Sequence, residues 1–154
     1  MSYREIRTFD DEVLRKTCKI VTDVNDHIRH ILDDMVDTMR QTPYCGGLAA
    51  NQLGILHRLV VIDVGQGLFK LVNPVVIAAK GEQIVTEGCL SFPQVWGKVK
   101  RPKRVTVQAL NEWGESITVQ GDDLLAQCLC HETEHLDGIL FIDKVITYLK
   151  PQSK

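Results

Sequence analysis

The chain has 154 residues, of which 44% are hydrophobic and 25% are charged, as in an ordinary globular protein. This length fits one domain, so we expect residues 1–154 to fold as a single unit that needs no disulfide bonds to complete its core. The formal net charge is −2 and the pI is about 6.2, which excludes a strongly basic surface and argues against DNA as a partner.

The cysteine content and the N-terminal residues indicate in which cellular compartment the protein is expected. The sequence holds five cysteines, at positions 18, 45, 89, 128 and 130. The first residues are charged and lack the apolar stretch of a secretory signal, and the apolar runs are far too short to cross a membrane. An odd cysteine count without a signal predicts a reduced, cytoplasmic protein without a membrane partner.

The first predicted element in chain order is an amphipathic helix over residues 23–41. Its apolar side chains recur at spacings of three and four; they are Val24, Ile28, Ile31, Leu32, Met35 and Met39. We expect Thr22 or Asp23 to cap its start. His27 and His30 fall within this helix and are interpreted as solvent-facing rather than as metal ligands.

Short β-type segments follow, bounded by Gly, Pro and Asn. The predicted strands are residues 59–62, 71–72, 75–77, 84–85, 105–107 and 117–119. The predicted turns are residues 65–67, 73–74, 80–81, 101–102 and 113–114. Since no helical crossovers separate these strands, we expect antiparallel sheets.

A second helix is predicted over residues 122–136, with Asp122 or Asp123 as its cap and Gly138 as its stop signal. It is apolar around most of its circumference, so we expect it in the centre of the fold. The predicted fold class is therefore α+β, with antiparallel sheets packed around this helix and one further helix near the N-terminus.

The second helix carries a chemical pattern, His-Glu-Thr-Glu-His at residues 131–135. His131 and His135 are four residues apart, so their imidazoles point the same way and can share one cation. Glu132 lies about a quarter-turn round the helix, where it can reach a metal-bound water without binding the metal. The alternative is two buried histidines on an ordinary helix, and burial of such groups is costly without a function.

A catalytic site of this type needs three protein ligands and an open position. Gly138 fits the zinc-protease pattern His-Glu-x-x-His-x-x-Gly-x-x-His, but Phe141 stands where its last histidine belongs. We therefore expect the third ligand upstream. Cys89 is the best candidate, because Gly88 permits a close backbone approach. Cys128 shares the histidine face of the helix and is the second choice.

Three segments resemble the motifs of the peptide deformylase family. Residues 45–52, Cys-Gly-Gly-Leu-Ala-Ala-Asn-Gln, resemble Gly-x-Gly-Leu-Ala-Ala-x-Gln. Residues 87–91, Glu-Gly-Cys-Leu-Ser, match the second motif, and residues 130–135, Cys-His-Glu-Thr-Glu-His, resemble Gln-His-Glu-x-Asp-His. The motifs lie in the family's order, and the resemblance covers nearly the whole chain.

The resemblance implies hydrolytic removal of the N-formyl group from the formyl-methionine of newly made polypeptides. It also implies Cys89, His131 and His135 as ligands of one divalent metal, with Fe²⁺ as the usual ion. A Cys-His-His site would also accept Zn²⁺, Ni²⁺ or Co²⁺.

The resemblance also gives roles to further residues. Glu132 would accept the proton of the attacking water and return it to the leaving amine. The Gln52 amide and the Leu90 backbone N–H would stabilise the charge that develops on the formyl oxygen. Glu87 would orient a ligand histidine.

Residues 45–47 are the candidate substrate-binding segment. Gly46 and Gly47 leave the backbone bare, so an extended peptide can pair with it as an added strand. The plain alternative is a turn after the first helix. Cys45, in the place of the family's first glycine, adds a side chain beside the expected methionine pocket.

Three further features depart from the family pattern or extend it. Cys130 replaces a glutamine and is expected to affect packing alone, whereas Glu134 replaces an aspartate and lengthens an arm that could disturb a buried pair. Residues 98–104 hold five basic side chains. We interpret this segment as a solvated hairpin in preference to a transient contact with ribosomal RNA.

Two other functions remain open at this point. A metalloprotease is disfavoured by Phe141. A catalytically silent relative that binds peptide N-termini is disfavoured by the intact Glu132 and Gln52.

Overall fold

The computed structural model describes residues 3–43 and 45–149. Within them, two helices and eight strands follow one another in the order α1 (Asp26–Gln41), β1 (Gly47–Ala49), β2 (Leu59–Ile62), β3 (Phe69–Lys80), β4 (Gln83–Cys89), β5 (Phe92–Arg101), β6 (Arg104–Leu110), β7 (Ser116–Asp122), α2 (Asp123–His135) and β8 (Val145–Tyr148). Three short 3₁₀ helices cover Glu12–Arg15, Ala50–Leu53 and Phe141–Asp143. No helix of this described part is long and apolar enough to cross a membrane.

The strands form two antiparallel sheets. The larger has five strands in the order β1-β2-β3-β6-β7, and the smaller has three in the order β4-β5-β8. The prediction of an α+β fold with antiparallel sheets is confirmed. The strand predicted at residues 59–62 coincides with β2.

Helix α1 begins later than predicted, at Asp26. Neither Thr22 nor Asp23 caps it, because Asn25 occupies the cap position and its Oδ1 accepts a hydrogen bond from the Ile28 N–H at 3.1 Å. Asp23 instead accepts a long hydrogen bond, 3.4 Å, from the Asn25 side chain. His27 and His30, also on this helix, are exposed as expected.

Strand β3 replaces two predicted strands and the turn predicted at residues 73–74. The chain passes through Asn73 and Pro74 as an irregularity in the pairing with β6, and Asn73 has a φ of 53°. The Asn73 amide bonds both the backbone N–H and the backbone C=O of Val21, at 2.9 Å each. Asparagine tolerates this conformation and proline lacks an N–H, so both suit a bulge.

The second half of β3 extends beyond β2. The pairing with β2 ends at Val72, whereas the pairing with β6 continues to Lys80 with two register shifts. In the described part of the chain, no strand pairs with the other edge of residues 75–80. Val75 and Ile77 in this segment are 56% and 54% exposed.

Strand β5 corrects the interpretation of the basic segment as a solvated hairpin. Its side chains alternate, so that Lys98 and Lys100 are exposed while Val99 and Arg101 are buried. Arg101 is only 2% exposed. The sequence also did not predict β8, a short strand of four residues.

Helix α2 matches its prediction within one residue at each end. It packs against strands of the larger sheet, mainly β7, β1 and β6, through buried side chains that include Leu125 and Leu129. Asp122 occupies the cap position, but its side chain makes no cap hydrogen bond and instead pairs with Arg104 at 2.6 Å. Gly138 follows the helix with a φ of 73°, as expected for a stop signal.

Candidate metal centre

The end of β4 and the last turn of α2 bring three candidate ligands together. Cys89, His131 and His135 each offer one atom, and these atoms all lie within 4.8 Å of one another. The Nε2 atom of His135 is 3.2 Å from Nε2 of His131 and 3.4 Å from Sγ of Cys89. Cys128, the second-choice ligand, is not in this group, which is the one found among the described residues.

Glu87 fixes the orientation of His131. Its Oε1 atom lies 2.7 Å from Nδ1 of His131, so the imidazole turns Nε2 toward the other two candidate ligands. Both side chains are buried, at 4% and 7% exposure. Although burial opposes the shift, the contacts with His131 and Arg101 lower the pKa of Glu87, which keeps it ionised.

Arg101 connects Glu87 to Glu134. Its Nη2 and Nε atoms lie 2.9 and 3.1 Å from Oε2 of Glu87, and its Nη1 atom lies 2.6 Å from Oε1 of Glu134. Glu134 also pairs with Lys144 through Oε2. The longer arm of Glu134 therefore does not disturb a buried pair. Sequence reasoning missed the role of Arg101, because a buried arginine within a basic run looks like any other member of that run.

Glu132 combines burial with a free oxygen atom. It is 6% exposed, and burial raises its pKa to about 7. Its Oε1 atom has no hydrogen-bond partner among the described residues. On its other side, the carboxylate touches Gly47, where an added Cβ atom would lie 2.9 Å from Oε2. Such a carboxylate is suited to accept and return a proton.

The two histidines differ in their electrostatics. Burial opposes the shift in His131, but the neighbouring Glu132 charge and the hydrogen bonds to Cys89 and Glu87 raise its pKa well above the ordinary value. Burial, together with the charge of His131, lowers the pKa of His135 well below the ordinary value. The lowered pKa keeps the His135 imidazole neutral, which is the form in which an imidazole binds a metal.

Gln52 lies beside Cys89 in a fixed orientation. It is 1% exposed, and its Oε1 accepts the Ala49 N–H at 2.9 Å. Its Nε2 therefore faces Ser91 Oγ at 3.2 Å and Cys89 Sγ at 3.5 Å. Leu90 lies in the turn after β4 and lines the same cleft.

A cleft of about 760 Å³ opens onto these groups. The sequence-predicted site residues that line it are Cys45, Gly46, Gly47, Gln52, Glu87, Cys89, Leu90, His131 and Glu132. In the segment predicted either as a peptide-pairing strand or as a turn, Cys45 and Gly46 precede β1, and Gly47 begins that strand at the edge of the larger sheet. The Cys45 thiol donates to the Gly47 carbonyl at 3.3 Å.

The remaining cysteines are free, as are Cys45 and Cys89. Cys18 and Cys130 are buried, and Cys130 points from α2 into the core, in keeping with the packing role expected for it. Cys128 lines the cleft, and burial raises the pKa of its thiol to about 12. These thiols are therefore protonated at neutral pH, and the sulfur of Cys89 is the one that lies with two imidazoles.

The donor set fits a borderline-soft divalent metal. One sulfur and two imidazole nitrogens lie within 4.8 Å of one another, and Glu87 fixes the outer nitrogen of His131. Thiolate and imidazole are the ligands of Zn²⁺, Fe²⁺, Co²⁺ and Ni²⁺ sites. Three protein donors leave a coordination position open for water or substrate, as in catalytic sites.

Comparison with known sequences gives whole-chain similarity. A sequence model of the family described as polypeptide deformylase matches residues 3–150. Peptide deformylase 2 of Clostridium acetobutylicum is 56% identical over 150 residues, which cover 97% of this chain and 100% of that protein. The peptide deformylase of Thermoanaerobacter pseudethanolicus is 53% identical over 154 residues, which cover 100% of this chain and 96% of that protein.

Comparison with solved structures agrees. A peptide deformylase from Legionella pneumophila superposes with a TM-score of 0.90 at 39% identity, over 94% of this chain and 86% of that one. The peptide deformylase from Thermotoga maritima superposes with a TM-score of 0.90 at 36% identity, over 94% and 99% of the two chains.

Proposed function

Since the chain belongs to the peptide deformylase family, we propose that Cys89, His131 and His135 hold the divalent metal with which it removes the N-formyl group of newly made polypeptides. The observation that carries this proposal is the grouping of their donor atoms within 4.8 Å, beside the buried Glu132. We place this reaction in the cytoplasm, where new polypeptides are made, and in one metallohydrolase domain around the helix that carries residues 131–135.

Glu132 is the proposed acid and base. A metal held by Cys89, His131 and His135 would lower the pKa of a water molecule and polarise the formyl carbonyl. Glu132 takes the proton of the attacking water on its carboxylate and returns it to the amine nitrogen that leaves with the peptide. Its Oε1, which has no hydrogen-bond partner in the described part of the chain, and its pKa of about 7 support both steps.

Gln52 and Leu90 are the proposed donors to the formyl oxygen. Charge develops on that oxygen during attack, and preorganised N–H donors stabilise it. The Ala49 N–H holds Oε1 of Gln52, which leaves its Nε2 on the side of Cys89. The Leu90 backbone N–H follows Cys89 directly along the chain.

The edge strand β1 is the proposed binding surface for the substrate backbone. Gly46 and Gly47 carry no side chain, and β2 pairs with only one edge of β1. An extended peptide can therefore add to the other edge, which faces the cleft. Cys45 would then lie beside the methionine side chain and narrow its pocket.

Fe²⁺ is the proposed native metal, and Zn²⁺, Ni²⁺ and Co²⁺ would occupy the same ligands. Metal analysis of protein purified without oxygen tests this choice. An equimolar content of zinc with negligible iron would contradict it.

A transient contact with the ribosome would bring the cleft to its substrate. The basic segment supplies little free charge for it, because Arg101 is buried and three neighbours pair with acids: Lys100 with Glu82, Lys103 with Asp123, and Arg104 with Asp122. We therefore expect a weak contact. Co-sedimentation with ribosomes should fall sharply between 50 and about 200 mM salt if it is electrostatic.

Formate release from formyl-Met-Ala-Ser tests the catalytic proposal. Protein loaded anaerobically with iron or nickel should release formate, and Glu132→Gln should bind the metal equally but lose activity by about 100-fold or more. Cleavage of an unformylated peptide instead would indicate a metalloprotease. Metal binding without formate would indicate a silent relative, and it would defeat the proposal.

A further inference from the structure

The three proposed ligands come from two different parts of the fold. Cys89 ends β4 in the smaller sheet, whereas His131 and His135 lie on α2, which packs mainly on strands of the larger sheet. The distance from sulfur to imidazole therefore depends on how β4 and β5 are held against α2.

Two charged contacts join these parts directly. One is Glu87 on β4 to His131 on α2, at 2.7 Å. The other is Arg101 on β5 to Glu134 on α2, at 2.6 Å. A longer hydrogen bond, 3.3 Å, joins the Gln127 amide to the Thr86 carbonyl.

The two charged contacts share one guanidinium. Arg101 is 2% exposed and directs two nitrogens at Glu87 and the third at Glu134. The planar fork of arginine holds both carboxylates at once, which a lysine ammonium cannot do with the same geometry. Removal of the Glu134 carboxylate would leave the buried guanidinium with an unused donor. The guanidinium could then rotate, and Glu87, which is bonded to it, would move as well.

Glu134 extends the same chain of charges to the surface. Its Oε1 contacts Arg101 and its Oε2 contacts Lys144, whose side chain is 43% exposed. The aspartate of the family motif is one methylene shorter than Glu134, whose two oxygens each contact one cation in this chain.

We propose that Glu134 is a positioning residue for the metal centre: through Arg101 and Glu87 it fixes the His131 imidazole and holds α2 at a set distance from Cys89. This inference rests on the proposed ligand role of Cys89, His131 and His135. Glu134 does not touch substrate, so it sets how tightly the metal is held and not how the peptide binds.

Metal release is the test, because it reports on Glu134 without any turnover. Zn²⁺-loaded protein is mixed with an excess of a chromophoric chelator, and the release rate is compared among variants. We expect Glu134→Gln to release zinc about 10-fold faster or more, since supporting contacts of ligands typically change metal affinity by 10–100-fold. Glu134→Asp, which keeps the charge, should recover most of the difference, and Lys144→Gln should stay within about twofold of the parent.

Kinetics give a second readout. With iron- or nickel-loaded protein, kcat should fall in Glu134→Gln while KM for formyl-Met-Ala-Ser stays within about twofold of the parent. Asp34→Asn is the matched control. Asp34, on α1, is also a buried carboxylate that pairs with an arginine, since it lies 2.8 Å from Arg4. It should lower thermal stability and leave zinc release unchanged.

A folded Glu134→Gln protein that releases zinc at the parent rate overturns the proposal. Should that variant not fold, Arg101→Lys decides, because it keeps the cation but cannot hold both carboxylates; release at the parent rate again overturns the proposal. A parent chain that binds no metal would instead defeat the ligand assignment itself, and the two failures are therefore distinct.

Discussion

Gly47 lies directly against the carboxylate of Glu132. A Cβ atom at position 47 would come within 2.9 Å of Oε2 and 3.0 Å of Cγ of that side chain. The absence of a side chain at Gly47 therefore leaves room for Glu132, the proposed base. It also leaves the backbone edge of β1 open to the substrate.

Replacing Gly47 with alanine should displace the base. The added methyl group has no space unless the Glu132 side chain moves, and a displacement of about 1 Å can cost 10²-fold in rate. We expect kcat/KM for formyl-Met-Ala-Ser to fall by about 100-fold, with metal content unchanged. Gly65→Ala is the control: its φ of 95° strains the backbone locally, but a Cβ atom there meets nothing within 4 Å. Equal activity in the two variants would refute the steric argument.

Gln52→Glu should weaken stabilisation of the formyl oxygen. The substitution keeps an oxygen for the Ala49 N–H and removes the Nε2 donor that faces Cys89. Loss of one oxyanion donor typically lowers kcat by about 10²–10³. Steady-state kinetics should show this fall in kcat, whereas Gln120→Glu on the exposed face of β7 should behave as the parent. A wild-type kcat in Gln52→Glu would remove Gln52 from the mechanism.

Glu87→Gln should weaken metal binding. The charged partner of His131 Nδ1, at 2.7 Å, would be replaced by an amide of the same shape. We expect affinity for Zn²⁺ to fall by about 10–100-fold in a competitive chelator titration. Glu115→Gln, whose side chain contacts only Asn111 among the described hydrogen bonds, provides the comparison. Unchanged affinity would show that the Glu87 contact does not support the ligand.

Gly138→Ala should destabilise the fold without touching the metal centre. Gly138 has a φ of 73°, and an added Cβ atom would collide with the backbone carbonyl of Arg15. Alanine in an incompatible backbone conformation costs more than about 1 kcal/mol of unfolding free energy. Gly67 has a φ of 110°, but a Cβ atom there would meet no atom within 4 Å. Gly67→Ala therefore measures the backbone strain without a steric clash. Urea unfolding should show the larger loss for Gly138→Ala.

Features set by local spacing were predictable from the sequence. The turn of a helix places His131 and His135 on one side, and β2 is a continuous apolar run of four residues. The sequence pattern alone favoured Cys89 over Cys128 as the third ligand but did not exclude Cys128. The resemblance to the family implied Cys89.

Features set by distant contacts were not predictable. Arg101 is buried because Glu87, 14 residues away, and Glu134, 33 residues away, neutralise it. Asn73 makes a bulge instead of a turn because its amide bonds Val21, 52 residues away. No local pattern contains these partners. The prediction of the α1 cap was wrong for a different reason. Asn25 and Asp23 have similar cap propensities, so the sequence does not distinguish them, and the helix begins after Asn25.

The second half of β3, which pairs with β6 on one edge and with no described strand on the other, has a consequence for the behaviour of concentrated protein. Exposed valine and isoleucine side chains along an open strand edge form a template on which another chain can add, and natural proteins limit such addition with bulges and charges. The two register shifts of β3 and the Lys80 side chain at its end are devices of this kind. Aggregation of this protein on heating should therefore begin at residues 75–80, and a lysine in place of Ile77 should slow it.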